Sequence, residues 1–357
     1  MDSSLRDNAA VADCASARDT AAACRILDRG ARVPSLQSLT GAVRAIVAGT
    51  LPEVARDRNA ICHRALLAGR RGVPRPVIVK SPRLGPQRTN RDATFAWEAG
   101  ILAQLPILGI DSAPELIARV AAGDAHFLFM SELPGKHPDA RKHPLDALQL
   151  RAIVDALQPM DRLGFMHYDL KAGNVLTNGA RAAFIDFEFA RVGAPWDADA
   201  PADASFGEDF NVANNPFLRA RSNVANFEFR CLHRHLVDVE TVDPNAAEAL
   251  FRAWLAAKVS YHARMARCLS GSAAAHERRL ASLLDDPPAT AIRVERLLIA
   301  YRTAVFERDS RDVLRSRRAI RAAIDARRSR GGAVPQWYAD SAARIVELVA
   351  RSTHPTP

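Results

Sequence analysis

Residues His167-Tyr168-Asp169-Leu170-Lys171-Ala172-Gly173-Asn174-Val175-Leu176, followed by Phe184-Ile185-Asp186-Phe187-Glu188, set two acids, a lysine and an asparagine on two neighbouring short loops. Asp169 has the chemistry to take a proton from an attacking hydroxyl. Lys171, two residues on, can neutralise charge on a transferring phosphoryl group. Asn174 and Asp186 offer hard oxygen ligands that suit Mg²⁺. An ordinary turn with a capping aspartate and a buried histidine would not need Lys171, Asn174 and Asp186 together.

Such loops must be anchored. Leu163, Phe165 and Met166 precede the first, Val175 and Leu176 follow it, and Phe184 and Ile185 lead into the second. Leu145 to Leu163 reads as an amphipathic helix, with Leu148, Leu150, Ile153, Leu157 and Met160 recurring at helical spacing, and it delivers the chain to Gly164 and the first loop. Upstream, Ala42 to Ala48, Ile61 to Leu67 and Val77 to Lys80 read as three antiparallel strands. Asn90 to Leu105 reads as a helix with Phe95, Ile101, Leu102 and Leu105 on its apolar face and Glu98 among them. His126 to Leu133 reads as a strand leading into a connection broken by Pro134 and Gly135. The last part of the chain reads as helices over Ala246 to Leu269, Ala289 to Phe306 and Ser341 to Ala350. Between them, Glu307 to Arg330 holds nine arginines against four acids. A solvated amphipathic helix with Val313, Leu314, Ile320 and Ile324 inward is the first reading of that stretch. Nucleic-acid or anionic-lipid docking is the alternative, although no aromatic residue interleaves with the arginines.

The two loops resemble those of the protein-kinase-like superfamily, whose pattern is H-R-D-L-x-x-x-N followed by D-F-G. The resemblance implies an α+β, bilobal kinase-like fold with a small β-rich lobe over residues 39–133. A helical lobe with a C-terminal helical extension would follow over 134–357, and ATP would lie between the lobes with Mg²⁺. It implies that Asp169 orients or deprotonates the acceptor hydroxyl, that Lys171 stabilises the γ-phosphoryl, and that Asn174 and Asp186 hold the metal. It further implies that Lys80, in Val77-Ile78-Val79-Lys80, holds the nucleotide phosphates and is oriented by Glu98, 18 residues on. Backbone groups near Glu132 and Leu133 would bind adenine, and Met130 would line the back of that pocket. His167 is read as a support of the loop.

The departures sort the branches. No G-x-G-x-x-G is present; the nearest stretch is Gly49-Thr50-Leu51-Pro52-Glu53. Tyr168 stands where the kinase pattern has arginine, so switching by a phosphorylated activation segment is not expected. Asp169-Leu170-Lys171 is similar to the Ser/Thr protein kinases, and this favours a protein substrate. Ile185-Asp186-Phe187-Glu188-Phe189-Ala190 is similar to the choline-kinase and aminoglycoside-phosphotransferase branch, which keeps a small amino alcohol or aminoglycoside open as acceptor. A pseudokinase scaffold and transfer of AMP remain open as well. Residues 194–216 carry Asp197, Asp199, Asp203, Glu208 and Asp209, which read either as a lure for a cationic acceptor or as a solvated loop, with Asp209 a possible pin beneath the first loop.

Composition bounds the rest. A chain of 357 residues with 48% hydrophobic and 25% charged residues is long enough for one large domain or two lobes. The net charge of +9 favours acidic partners without choosing among them. No apolar run approaches the ~20 residues of a membrane span. The five cysteines (Cys14, Cys24, Cys62, Cys231 and Cys268) are scattered, which indicates a reducing compartment. Residues 1–38, poor in large apolar groups, read as mostly disordered. An export segment of a bacterial effector acting in a host cell is the alternative to a cytoplasmic protein with a mobile tail.

Overall fold

The computed structural model describes residues 24–30, 34–56, 60–68, 73–82, 92–123, 125–192, 222–307, 310–330, 335, 337–339, 342, 343 and 346. The chain divides into two units. One comprises residues 1–134 and 185–189, the other 135–184 and 190–357.

The first unit holds β1 (Arg25–Arg29), α1 (Leu36–Val47), β2 (Glu53–Arg56), β3 (Ala60–Ala68), β4 (Pro74–Pro82), α2 (Asp92–Gln104), β5 (Leu116–Ala122) and β6 (Ala125–Ser131). The six strands form one antiparallel sheet in the order β1-β5-β6-β4-β3-β2. Strand alternation positions the lysine. Val77 and Val79 of β4 join Ala65, Leu67, Phe127 and Phe129 in a core that also takes Leu39 and Val43 of α1. The two-residue period therefore turns Ile78 and Lys80 to the opposite face.

Two sequence expectations fail in this unit. Ala42 to Ala48 is not a strand but the second half of α1, whose N-terminus is capped by the Ser35 side chain accepting the Ser38 N–H at 3.2 Å. Its β-branched residues suggest a strand, but buried Leu39, Val43 and Ile46 fall four and three apart, which is a helical face. Gly49 consequently lies at the end of a helix and not between two strands. At φ 66° it donates to Ile46 O at 3.0 Å, while Thr50 N–H reaches Ala45 O at 2.8 Å, an arrangement typical of a helix C-terminus. The β2–β3 connection, residues 57–59, lies outside the described residues. Within the segment read as mostly disordered, Arg25–Arg29 forms an edge strand on β5, held by an Arg119–Asp28 ion pair.

The second unit holds α3 (Ala147–Arg162), β7 (Phe165–Met166), the hairpin of β8 (Val175–Asn178) and β9 (Arg181–Phe184), and β10 (Arg191–Val192), which pairs with β7. Next comes α4 (Asn223–Phe227), which runs through a π-helical turn (Glu228–Leu232) into α5 (His233–Glu240). Helices α6 (Pro244–Cys268), α7 (Gly271–Asp285), α8 (Ala289–Phe306) and α9 (Ser310–Arg330) follow. A capping box of Asp146 and Gln149 starts α3, which buries Leu150, Ile153, Leu157 and Met160. Leu148, expected in that core, is exposed because it falls about 140° around the helix from Ile153. Leu314 of α9 is likewise exposed, since the inward face is Ser316, Ile320 and Ala323. The side chains of Val313 and Ile324, and most of Ser341 to Ala350, lie outside the described residues.

A unit built on an antiparallel sheet followed by one built mainly of helices is the α+β organisation expected from the sequence. Among the described residues no helix is long and apolar enough to cross a membrane.

Candidate active site

In the first unit Lys80 is the centre of a buried ionic cluster. Its Nζ donates to Glu98 Oε2 at 2.9 Å and to Asp186 Oδ1 at 2.6 Å, and Glu188 Oε2 stands 3.7 Å away. Helix α2 brings Glu98 to this face, where Phe95, Ala99 and Leu102 are buried beside it. The second oxygen of Glu98 accepts the Phe187 N–H at 3.1 Å, which ties the Asp186 loop to α2. Burial alone would lower the Lys80 pKa, but Asp186, Glu98 and Glu188 overcome it and hold the ammonium well above its ordinary value. Burial and Asp186 push the Glu98 carboxyl up against the pull of Lys80. Asp186 adopts φ 67°, a left-handed backbone that costs a non-glycine residue about 1–2 kcal/mol and collects at functional sites.

In the second unit the loop after β7 gathers around Asp169. Tyr168 takes the left-handed backbone here, at φ 62°. Asn174 ends a short helical turn and donates Nδ2 to Asp169 O at 2.9 Å and to Asp169 Oδ2 at 2.8 Å. Lys171 Nζ also reaches Oδ2, at 2.8 Å, with its side chain half exposed. His167 is fully buried, its Nδ1 accepts the Asp169 N–H at 3.3 Å, and its ring meets the Phe184 ring edge-on. The imidazole thus braces the loop.

Five residues that sequence reasoning did not single out for the site complete it. Glu188, read from sequence only as a branch marker, belongs to the Lys80 cluster. Arg230, on the π-helical turn, forms an ion pair with Asp169 Oδ1. Asn223 Oδ1 accepts the His167 N–H at 2.8 Å, and Asn226 Oδ1 accepts the Leu170 N–H at 3.1 Å while its Nδ2 donates to Tyr168 O. Asp161 anchors Asn223 by accepting its N–H and Nδ2 at 2.6 and 2.7 Å, and accepts the Tyr261 hydroxyl at 2.8 Å. Burial pushes the Asp161 carboxyl up to about 7, against those hydrogen bonds. The signal for the asparagines was present: Asn223 and Asn226 sit three apart, on one helical face, after the capping Ser222. No local pattern points to Arg230.

Of the residues read as an adenine site, Met130 is buried at the end of β6, Leu133 is half-buried beyond it, and the Glu132 side chain is engaged in an ion pair with Arg64. Asp197, Asp199, Asp203, Glu208 and Asp209 lie outside the described residues. Among the described residues, Asn223 and Asn226 hold the backbone of the first loop.

The phosphotransferase enzyme family (APH) matches residues 141–197, from ahead of α3 through both loops. Among solved structures, the autoinhibited serine kinase domain of the giant muscle protein titin is similar at 14% identity and a TM-score of 0.30, over 40% of this chain and 44% of that one. The match therefore spans less than half of that solved chain. No curated protein matches the chain. The family match supports a phosphotransferase, and with the two loops it bears out the recognition of the protein-kinase-like superfamily.

Proposed function

We propose that the protein is an ATP- and Mg²⁺-dependent phosphotransferase acting on a hydroxyl of a protein serine or threonine. The observation that carries the reading is Lys80 buried between Glu98 and Asp186, with Asp186 held in a left-handed backbone on the second motif loop. Lys80 binds the nucleotide phosphates and Glu98 orients it. Asp169 orients the acceptor hydroxyl and takes its proton as that oxygen bonds to the γ-phosphorus and the bond to the β-phosphate breaks, releasing ADP. Lys171 stabilises charge on the phosphoryl oxygens in transfer.

The charge around Lys80 supports a divalent cation. Glu98, Asp186 and Glu188 face one ammonium, and, if all are ionised, they leave an excess of negative charge that a hard cation offsets. By the motif spacing, Asp186 and Asn174 are the oxygen ligands that would hold it. Bound Mg²⁺ would neutralise charge on the phosphates.

For the acceptor, Asp169-Leu170-Lys171 supports a protein hydroxyl. The charge at Asp169 points the same way. Lys171 and Arg230 on one carboxylate leave a formal excess of positive charge, which disfavours an ammonium beside the reacting hydroxyl. The second reading is a small-molecule kinase of the choline-kinase or aminoglycoside-phosphotransferase type, favoured by the family match over residues 141–197. Action of an exported effector on a host protein belongs to the first reading, with residues 1–23 as the segment to remove in an export assay. Removal through residue 38 would also strip β1 from the sheet.

The test is incubation with Mg²⁺ and γ-labelled ATP against three acceptors: the protein itself, a mixed protein lysate and a panel of amino alcohols. Label on protein that is lost in Asp186→Ala is the expected result. Label confined to a small molecule selects the second reading. Nucleotide binding without transfer from γ- or α-labelled ATP leaves a scaffold and overturns the proposal.

A further inference from the structure

The two oxygens of Asp169 are held by different devices. Oδ2 takes Asn174 and Lys171 from its own loop, whereas Oδ1 takes Arg230 from a helix 61 residues downstream. Arg230 has only 15% of its side chain exposed, and burial lowers its pKa to about 10. A guanidinium buried on a carboxylate is a directional contact that fixes the rotamer of the acid.

The turn that carries Arg230 is itself clamped. It is π-helical, a local widening that collects at functional sites and changes where a helical side chain points. Two residues before Arg230, buried Glu228 accepts Trp254 Nε1 at 2.9 Å and Lys258 Nζ at 2.8 Å, and its other oxygen meets Arg302 at 3.3 Å. Lys258 passes on to Glu295 at 3.0 Å, and Glu295 accepts the Tyr338 hydroxyl at 2.5 Å. The ionic network of α6 and α8 therefore fixes the backbone from which Arg230 reaches the catalytic loop.

We propose that Arg230 is a positioning residue for phosphoryl transfer: it holds the Asp169 carboxylate through Oδ1, and the Glu228-clamped π-helical turn sets its reach. The inference rests on the phosphotransferase reading of Asp169. An acceptor hydroxyl must then approach a carboxylate already oriented by three donors. Loss of Arg230 leaves Asp169 free to rotate about its Oδ2 contacts without touching the Lys80 cluster.

Two measurements on the full chain test this. The first needs no activity: thermal unfolding of wild type, Arg230→Met, Asp169→Asn and the double variant. The expected result is non-additivity, with the double variant losing less than the sum of the single losses by about 3 °C or more. Additive losses would overturn the pairing. The second is transfer from Mg·ATP to the protein or to water. Arg230→Met is expected to lower kcat about 10–100-fold with KM for ATP within about twofold of wild type. Arg230→Lys should be intermediate, and free guanidinium at sub-denaturing concentration should restore part of the Arg230→Met rate. A merely structural arginine would give no rescue and would move kcat and KM together; that result, or an unchanged kcat, overturns the inference. Normal transfer by Arg230→Met sinks this inference alone. Absence of transfer by wild type sinks the phosphotransferase reading and the positioning role with it, while leaving the measured pairing in place.

Discussion

Asn223 Oδ1 accepts the backbone N–H of His167 at 2.8 Å, so that α4 holds the head of a loop 56 residues earlier in the chain. Its Nδ2 donates to Phe165 O at 2.7 Å as well as to Asp161. An asparagine is suited to this because one side chain must both accept from and donate to backbone. Asn223→Ala leaves these buried groups unpaired and is expected to cost about 1–3 kcal/mol in urea unfolding. Asn223→Asp keeps the acceptor but sets a second carboxyl against Asp161. It should therefore lose more stability at pH 8 than at pH 5, whereas Asn223→Ala should not show that difference.

Asp161 carries a pH dependence of its own. Its folded pKa of about 7 lies above the ordinary carboxylate value of 3.8. Between those two values the folded chain keeps a proton that the unfolded chain has released, so stability falls as pH rises through that window and is flat above it. The slope contributed by one proton is at most about 1.4 kcal/mol per pH unit. Asp161→Asn should remove this part of the slope in a series of denaturant midpoints from pH 4 to 8. An identical slope in the variant would refute it.

Lys258 separates Glu228 from Glu295. Burial alone would raise the Glu295 carboxyl, but Lys258 and the Tyr338 hydroxyl hold it down at about 2. Lys258→Met leaves two buried carboxylates without the ammonium between them and is expected to cost about 3–5 kcal/mol at neutral pH. Glu295 should stabilise the fold above its ordinary value of 4.5, with that contribution lost as pH falls toward 2. Acid unfolding of Glu295→Gln should therefore show a weaker pH dependence between those limits than wild type.

Within the Lys80 cluster the two partners should not be equivalent. Lys80→Met leaves Glu98, Asp186 and Glu188 facing one another, whereas Glu98→Gln removes one buried charge and keeps an oxygen for Lys80 or the Phe187 N–H. Lys80→Met is expected to abolish nucleotide binding and to destabilise the first unit more than Glu98→Gln does. Calorimetric ATP binding and thermal unfolding of the two variants check this.

What the sequence made legible follows from how local each signal is. Lys80 and Glu98 could be paired because a strand and the next helix put them on one face, and the spacing around Asp169 is a short-range pattern. Helix α1 was obscured because Val43, Ile46 and Val47 favour strands, while the burial of its face depends on a sheet formed later in the chain. Arg230 meets the loop only through tertiary packing, and nothing within a few residues announces it, whereas Asn223 and Asn226 leave a local sign in their spacing after Ser222. Leu148 and Leu314 show the opposite error, apolar residues assigned to a core from which their helical angle excludes them.

Phosphoryl transfer by these two loops is decided by the rate at which γ-phosphoryl leaves Mg·ATP, followed as ADP formation and label transfer, in wild type, Asp169→Asn and Asp186→Ala. Mg²⁺-dependent turnover is expected to fall about 100-fold or more in each variant, with nucleotide still bound by Asp169→Asn. Turnover unaffected by either substitution, or release of pyrophosphate with transfer of AMP in place of ADP formation, would contradict it.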